Sequence, residues 1–176
     1  YLLTTTSPLQ LLVGNEPRWF PSTMPANQLP PARRGHSATA LADKCVFFGG
    51  MANGKYLSDM FIFDATTMNI MNVPQQSLWP EARAFHAAYQ SGPHTVCIFG
   101  GQLSSISDEK ASTVWQFDIR SGNWTKLLGH LQCHGRYGAG IGCWQDTQHI
   151  FVYGGISVSG QPTEYATKSR LLLRLS

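Results

Sequence analysis

The sequence has few charged residues and no long apolar segment. Charged side chains make up 13% of the 176 residues, and the formal net charge is +3. A positive charge this small gives no basis for a nucleic-acid partner. No apolar run approaches the roughly 18 residues that can span a membrane, and the first residues lack the basic start of a signal peptide. Since 43% of the residues are hydrophobic, we expect a globular chain without membrane contact.

The four cysteines lack the CxxC spacing of a typical metal or redox motif. Cys45 and Cys97 lie in apolar segments, where a free thiol behaves as a small hydrophobic residue. We therefore favour four reduced thiols and a cytoplasmic protein, with one disulfide as the alternative. A second alternative is a zinc site, although the cysteine spacing matches no standard zinc motif. Its ligands would be Cys133, His134, Cys143 and His149.

Sequence motifs of common enzyme classes are also missing. The chain contains no GxSxG nucleophile elbow and no complete phosphate-binding loop. The glycines of GIGCWQD, at residues 140–146, are not followed by Gly-Lys and a hydroxyl residue. We therefore expect a chain that binds no cofactor or metal and is not an enzyme.

A repeat of about 50 residues organises the chain. The segments CVFFGG, VCIFGG and IFVYGG end at Gly50, Gly101 and Gly155, which are 51 and 54 residues apart. An arginine opens the segment before each of them: RRGHSA, RAFHAA and RYGAGI. The segments MFIFDATTMNI and VWQFDIRSGNW follow the first two glycine pairs, and in both an Asp precedes an apolar residue by six positions.

This order of residues resembles the Kelch repeat, whose period is about 50 residues. The resemblance covers essentially the whole chain and is strongest over residues 31–128. The segment from Leu9 to Trp19 matches the second half of a repeat. Scattered departures from the pattern are Ile70 in place of Trp, Ala139 in place of His, and Val13 and Arg174 in place of Asp.

The resemblance implies an all-β fold, a segment of a Kelch-type β-propeller with four-stranded antiparallel blades. A closed ring of six or seven blades needs roughly 24 to 28 strands, of which this chain supplies about half. Because the chain does not begin with Met, we expect a segment of a longer protein. The expected parts are the end of one blade at 1–30, full blades at 31–79 and 80–128, and most of a further blade at 129–176.

Short apolar segments predict four strands in each full blade. They lie at 36–41, 45–48, 60–63 and 69–73 in the first, and at 86–89, 95–99, 114–117 and 123–128 in the second. We expect Trp19 and Trp124 to fill the space between adjacent blades. Asp64 and Asp118 should accept hydrogen bonds from backbone N–H groups two residues further on.

Loop lengths predict which face of the propeller binds a partner. In an up-and-down blade, the connection into the first strand and the connection between the second and third strands emerge on one face. The second-to-third connections at 51–59, 102–113 and 156–169 are longer than the turns opposite them. We call the face that carries them the glycine-loop face, and we expect binding there because long loops on a rigid scaffold usually carry function.

Arginines and aromatic residues near these loops are the candidate partner-binding residues, since both types anchor protein interfaces. The arginines would bind acidic groups of a partner through bidentate hydrogen bonds, or instead hold the loops by bonding to carbonyls of neighbouring blades. Trp79 would contact a partner or plug a blade edge. The candidates are Arg33, Arg34, Arg83, Arg136, Tyr56, Trp79, Phe85 and Tyr137.

The pattern therefore favours a non-catalytic protein-interaction module whose partner is an acidic protein or peptide. Further association with the rest of the propeller, or with a second copy, is expected. Some Kelch-like propellers are enzymes, however. The alternative is such an enzyme, with a metal or radical site near the propeller channel and part of that site outside this segment.

Overall fold

The computed structural model describes residues 10–13, 18–21, 29–105, 108–128, 135–143, 149–158 and 171–174. Strands β1 (Gln10–Val13) and β2 (Arg18–Pro21) form an antiparallel hairpin. The first four-stranded antiparallel sheet, in spatial order, contains β3 (Ser37–Leu41), β4 (Lys44–Ala52), β5 (Lys55–Asp64) and β6 (Asn69–Val73).

The second repeat forms another four-stranded antiparallel sheet with additional short elements. Its elements are β7 (Arg83–Ala84), β8 (Ala87–Gly92), β9 (Thr95–Phe99), β10 (Gln102–Leu103), α1 (Asp108–Ala111), β11 (Val114–Asp118) and β12 (Asn123–Leu128). The sheet order is β8, β9, β11, β12, and β7 pairs with β10. No helix within the described ranges is long and apolar enough to pass through a bilayer.

The third repeat contributes a three-stranded sheet and a short two-stranded ladder. Its strands are β13 (Arg136–Tyr137), β14 (Gly140–Cys143), β15 (His149–Tyr153), β16 (Ile156–Ser157) and β17 (Leu171–Arg174). The sheets are all antiparallel, and those of the described residues do not close into a ring. The predicted all-β fold of four-stranded blades is thus confirmed, while the blade boundaries at residues 30, 79 and 128 remain a prediction.

Side chains alternate between the two faces of each sheet and form the cores between sheets. Val46 and Phe48 of β4 face one way and pack with Val96 and Ile98 of β9 in a buried cluster. Trp124 is 3% exposed in this cluster, and its ring lies 5.2 Å from that of Phe48. The expectation that Trp124 fills the space between adjacent blades is confirmed; the Trp19 side chain lies outside the described residues.

The opposite face of the second sheet packs on the third sheet. Cys97 and Phe99 of β9 are fully buried there, in a cluster with Val152 of β15. Cys45 and Cys97 are both buried. The four proposed zinc ligands lie outside the residues whose side chains are described.

Two aspartates organise the turns between the third and fourth strands. The Oδ1 atom of Asp64 accepts a hydrogen bond from the backbone N–H of Thr66 at 2.9 Å, and Oδ1 of Asp118 accepts one from Arg120 at 2.8 Å. Both donors lie two residues after the aspartate, which confirms the predicted role of these carboxylates.

The first of the three expected long loops is a hairpin. Strand β4 continues past the glycine pair to Ala52 and β5 starts at Lys55, with a register shift at Gly49. The turn residues Asn53 and Gly54 have φ angles of 49° and 75°, as in the tight turns that suit two-residue hairpins. The predicted loop at 51–59 was therefore wrong, because the glycines form a bulge and the strands pair again beyond it.

Candidate functional site

Each repeat joins its arginine to the first glycine of its glycine pair. The Nη1 group of the arginine donates to the carbonyl oxygen of that glycine, and the arginine side chain is buried. The pairs are Arg33–Gly49 at 3.1 Å, Arg83–Gly100 at 2.9 Å and Arg136–Gly154 at 2.9 Å. The two residues of each pair belong to the same repeat, whereas the second of our two interpretations of the arginines assigned the carbonyls to neighbouring blades. These bonds explain why arginine and double glycine recur together.

Arg33 has the fullest set of partners among these arginines. Its Nη1 and Nη2 atoms donate to the two carboxylate oxygens of Asp59 at 2.5 and 2.8 Å. The guanidinium carbon lies 5.2 Å from the centre of the Phe61 ring, within the range of a cation–π contact. A bidentate ion pair of this kind fixes both side chains and holds the glycine loop to β5.

Two histidines follow the arginines and lie under the glycine-loop face. Burial, aided by nearby Arg33, lowers the pKa of His36 from 6.5 to about 4. Burial also lowers the pKa of His86 to about 3, with Arg83 and His36 adding to the effect. The Nε2 atom of His86 shares a 2.8 Å hydrogen bond with the hydroxyl of Ser37 in the preceding repeat. Both imidazoles are therefore neutral structural groups at neutral pH.

Phe85 occupies a backbone position that is glycine in the other two repeats. Gly35, Phe85 and Gly138 have φ angles of 65°, 58° and 66°. Hydrogen bonds join the three positions in series, from Phe85 N–H to Gly35 oxygen at 2.6 Å and from Gly138 N–H to Phe85 oxygen at 2.8 Å. A non-glycine residue in this left-handed region carries a conformational cost of about 1–2 kcal/mol.

The Phe85 ring borders an open, largely apolar depression of about 360 Å³ on the glycine-loop face. Gln102, Tyr137 and Ile156 line the same depression. Phe85 remains 37% exposed and Ile156 remains 53% exposed. The structure thus brings together Phe85 and Tyr137, two of the residues that the sequence singled out.

Tyr56 and Arg34 extend this surface towards the first repeat. The hydroxyl of Tyr56 lies 3.4 Å from Oε1 of Gln102, at the edge of the depression. Tyr56 pairs with Met51 across the β4–β5 hairpin, and Arg34 pairs with Met51 from the other side. The Arg34 side chain is exposed, and Nη2 lies 3.7 Å from the Met51 sulfur. We call the depression and these two residues the aromatic patch: Arg34, Tyr56, Phe85, Gln102, Tyr137 and Ile156.

The other sequence candidates lie elsewhere. Arg33, Arg83 and Arg136 are 2%, 1% and 7% exposed, beneath the loops that they hold. Trp79 lies at the seam between the first two sheets, where its Nε1–H donates to the Ser58 carbonyl at 2.6 Å. Its ring lies 6.0 Å from that of Trp124. Partner contacts by these four residues remain a prediction.

Sequence reasoning missed Gln102 and Ile156, which follow the glycine pairs in β10 and β16. A signal for the patch was present, because the aligned segments RRGHSA, RAFHAA and RYGAGI place Phe85 opposite two glycines. An aromatic residue at a glycine position indicates either tolerated strain or a function for the ring. No group of three or more metal-ligating side chains occurs within the described part of the chain.

Comparison with known proteins places this architecture in a family. The model of the KLHDC2/KLHL20/DRC7 Kelch-repeats domain matches residues 5–155. Host cell factor 2 of Homo sapiens is 28% identical over 121 residues, which cover 58% of this chain and 15% of that protein. Kelch domain-containing protein 3 of Rattus norvegicus is 28% identical over 133 residues, which cover 70% of this chain and 31% of that protein.

A shorter match links the chain to a relative with an enzyme's name. tRNA wybutosine-synthesizing protein 2/3/4 of Arabidopsis thaliana is 34% identical over 62 residues, or 35% of this chain and 6% of that protein. The chain thus spans less than a third of the length of each of these relatives. The family model covers most of the chain, and the chain therefore belongs to the Kelch-repeat family.

Proposed function

We propose that this chain is a non-catalytic protein-interaction module that binds a protein or peptide segment at the aromatic patch. Kelch-repeat membership supports interaction as the general class of function. The single observation that carries the choice of site is the exposed Phe85 ring on a left-handed backbone where the other repeats have glycine.

The backbone of Phe85 is strained, and its side chain remains partly exposed. The left-handed backbone of Phe85 costs the fold about 1–2 kcal/mol relative to glycine, and more than a third of the side chain remains open to solvent. Strained residues that persist on a rigid scaffold are concentrated at functional sites. A partner that covers the Phe85 ring would bury the part of its apolar surface that is now exposed to solvent.

The chemistry of the patch indicates what the partner presents. Phe85, Tyr137 and Ile156 offer an apolar surface with an aromatic rim, and such residues commonly anchor interfaces. Gln102 can both donate and accept hydrogen bonds to a peptide backbone. Arg34 adds an exposed positive charge at one end, so an apolar anchor next to an acidic residue fits the patch. Aromatic, aliphatic and amide groups suit recognition better than acid–base catalysis.

The test is selection of binders from a phage-displayed library of random peptides, with the intact protein that contains this chain as bait. Affinities of the selected peptides are then measured for wild type, Phe85→Gly and Tyr137→Ala. We expect each substitution to weaken binding about tenfold or more, as loss of an interface anchor does.

Met71→Ala is the matched control, because Met71 is 61% exposed but lies on the outermost strand β6. It should leave the affinities unchanged. Peptides that bind Phe85→Gly and Tyr137→Ala as tightly as wild type would place the interaction surface elsewhere and overturn the proposal.

A further inference from the structure

A second concave site lies at the seam between the first and second sheets. It is a cavity of about 290 Å³, which we call the seam pocket. Its walls include Trp79 and Trp115, and its charged residues are Glu81, Arg83, Lys110 and Lys126. The lining also includes Thr113, which is 2% exposed.

The first repeat has a carboxylate, Asp59, at a position where the seam pocket has none. Met60 pairs with Phe48, the residue before the first glycine pair, and Val114 pairs with Phe99, the residue before the second. Thr113, just before Val114, is therefore the structural equivalent of Asp59. In the first repeat Asp59 neutralises the buried Arg33 through two hydrogen bonds. In the second repeat that position offers a hydroxyl group instead of a carboxylate.

Arg83 is consequently a buried cation that bonds to carbonyl oxygens where Arg33 bonds to a carboxylate. It is 1% exposed, and it donates to two carbonyl oxygens, those of Glu81 at 3.1 Å and Gly100 at 2.9 Å. Among the described residues, no carboxylate bonds to its guanidinium. Burial lowers the pKa of Arg83 to about 10, with Glu81 opposing the shift. A buried charge without a counter-ion is costly unless a ligand supplies one.

The remaining charges of the pocket are also mainly positive. The ammonium of Lys110 forms a 2.5 Å ion pair with Glu81, and both side chains are about half exposed. Lys126 lines the same cavity and contributes another positive charge. The lining therefore holds three cations and one carboxylate, which favours an anionic ligand.

We propose that the seam pocket binds a carboxylate, carried on an acidic side chain of a protein partner. The first repeat identifies the chemistry, because the equivalent arginine binds a planar carboxylate in bidentate fashion. The two tryptophan walls shield the ion pair from water and so strengthen it. This proposal rests on Arg83 and Thr113, and it stands whether or not the aromatic patch binds a peptide.

The first experiment exchanges the carboxylate between repeats in the intact protein and uses sodium acetate as the probe. Thermal unfolding and tryptophan indole NMR signals are followed in acetate and in chloride at equal ionic strength. Wild type should show a saturable acetate response in the roughly millimolar range, with shifts at Trp79 and Trp115. Thr113→Asp should raise the unfolding temperature in chloride and abolish the acetate response.

The reverse substitution and a matched lysine pair complete the test. Asp59→Thr should lower stability and create a second acetate response; if that variant does not fold, Thr113→Asp still decides the outcome. Lys126→Gln should weaken the acetate response, whereas Lys55→Gln, on the exposed start of β5, should not. A wild type without any acetate response, or Thr113→Asp with an undiminished one, would refute the site.

Three further outcomes concern the identity of the ligand. An equal response to phosphate would overturn the assignment to carboxylate. An acetate response that arises only after Asp108→Asn and Glu109→Gln would show that carboxylates of α1 occupy the pocket, which also overturns the proposal. A blocked aspartate peptide that binds more tightly than acetate supports a side chain as the source, and weaker binding contradicts it.

Discussion

The carbonyl oxygen of Arg83 lies 2.7 Å from the position that a β-carbon on Gly49 would occupy. The Leu57 carbonyl lies 3.1 Å from the same position, and Gly49 has a φ angle of +62°. Gly49 thus allows the second repeat to pack its backbone directly on the first. Gly100 and the Arg136 carbonyl are arranged in the same way between the second and third repeats.

We expect Gly49→Ala to lower the free energy of unfolding by roughly 2–4 kcal/mol. The substitution combines a left-handed backbone cost with a clash between repeats, and neither carbonyl can move freely. Urea unfolding followed by tryptophan fluorescence measures the change. Gly54→Ala is the control, since Gly54 also has positive φ (+75°) but has nothing within 4 Å of the added carbon. Equal losses for the two variants would contradict the packing role of Gly49.

Phe85→Gly should change the free energy of unfolding by less than about 1 kcal/mol, because relief of the backbone strain offsets the lost burial of the ring. Glycine relieves the left-handed strain, while its greater freedom in the unfolded state offsets part of the gain. The backbone hydrogen bonds to Gly35 and from Gly138 require no side chain and should persist. Thermal unfolding tests this expectation, and a loss of several degrees would mean that the ring is mainly a packing residue.

Arg33 and Arg34 are adjacent in sequence but should respond oppositely to substitution. Arg33→Met should destabilise the fold by about 2–3 kcal/mol, because it leaves the Gly49 carbonyl and the partly exposed Asp59 carboxylate without their donor. Arg34→Ala should change stability by less than about 0.5 kcal/mol, since its side chain is exposed. Chemical denaturation of both variants is the measurement. A stable Arg33→Met protein would refute the structural role of the ion pair.

The stability of the fold should fall as the pH drops from about 6.5 towards 4. The pKa values of His36 and His86 are lowered in the folded state from 6.5 to about 4 and about 3, so protonation favours the unfolded chain. Their contribution is fully present above pH 6.5 and is lost as the pH falls towards the folded values. Asp64 and Asp118 also have lowered pKa values, but their contribution is lost mainly below 3.8.

His86→Gln provides the check on this assignment, since an amide retains polar contact with Ser37 but does not titrate. The slope of unfolding free energy against pH between 6.5 and 4 should become shallower in this variant. An unchanged slope would assign the acid sensitivity to other groups.

Much of the fold could be predicted from sequence because the motif recurs along the chain, and each copy indicates the same strands and turns. The short apolar segments in CVFFGG and VCIFGG indicated strands. Asp64 and Asp118 indicated tight turns, and Trp124 indicated a filled space between blades. The β4–β5 hairpin was missed because two glycines in succession normally suggest the end of a strand rather than a bulge within one.

The candidate site was only partly accessible from sequence. Phe85 and Tyr137 were identified as aromatic residues near loops, and the structure places them at one depression with Gln102 and Ile156. Gln102 and Ile156 carry no distinctive pattern, and their proximity results from pairing between β7 and β10 and between β13 and β16. Only the strand register aligns Thr113 with Asp59, and it thereby shows that Arg83 has no aspartate at the position where Arg33 has one.

By itself, the sequence determined the repeat, the four strands of each full blade and the turns at Asp64 and Asp118, since these depend on local conformation and on the alternation of side chains. Only the tertiary structure decided which arginines are buried behind the loops and which aromatic rings remain on the surface. Burial and pairing depend on neighbouring repeats that lie about 50 residues away in the chain. Arg33 and Arg34 show this difference. The sequence does not distinguish these two adjacent arginines, but packing against Asp59 and Phe61 buries Arg33 alone.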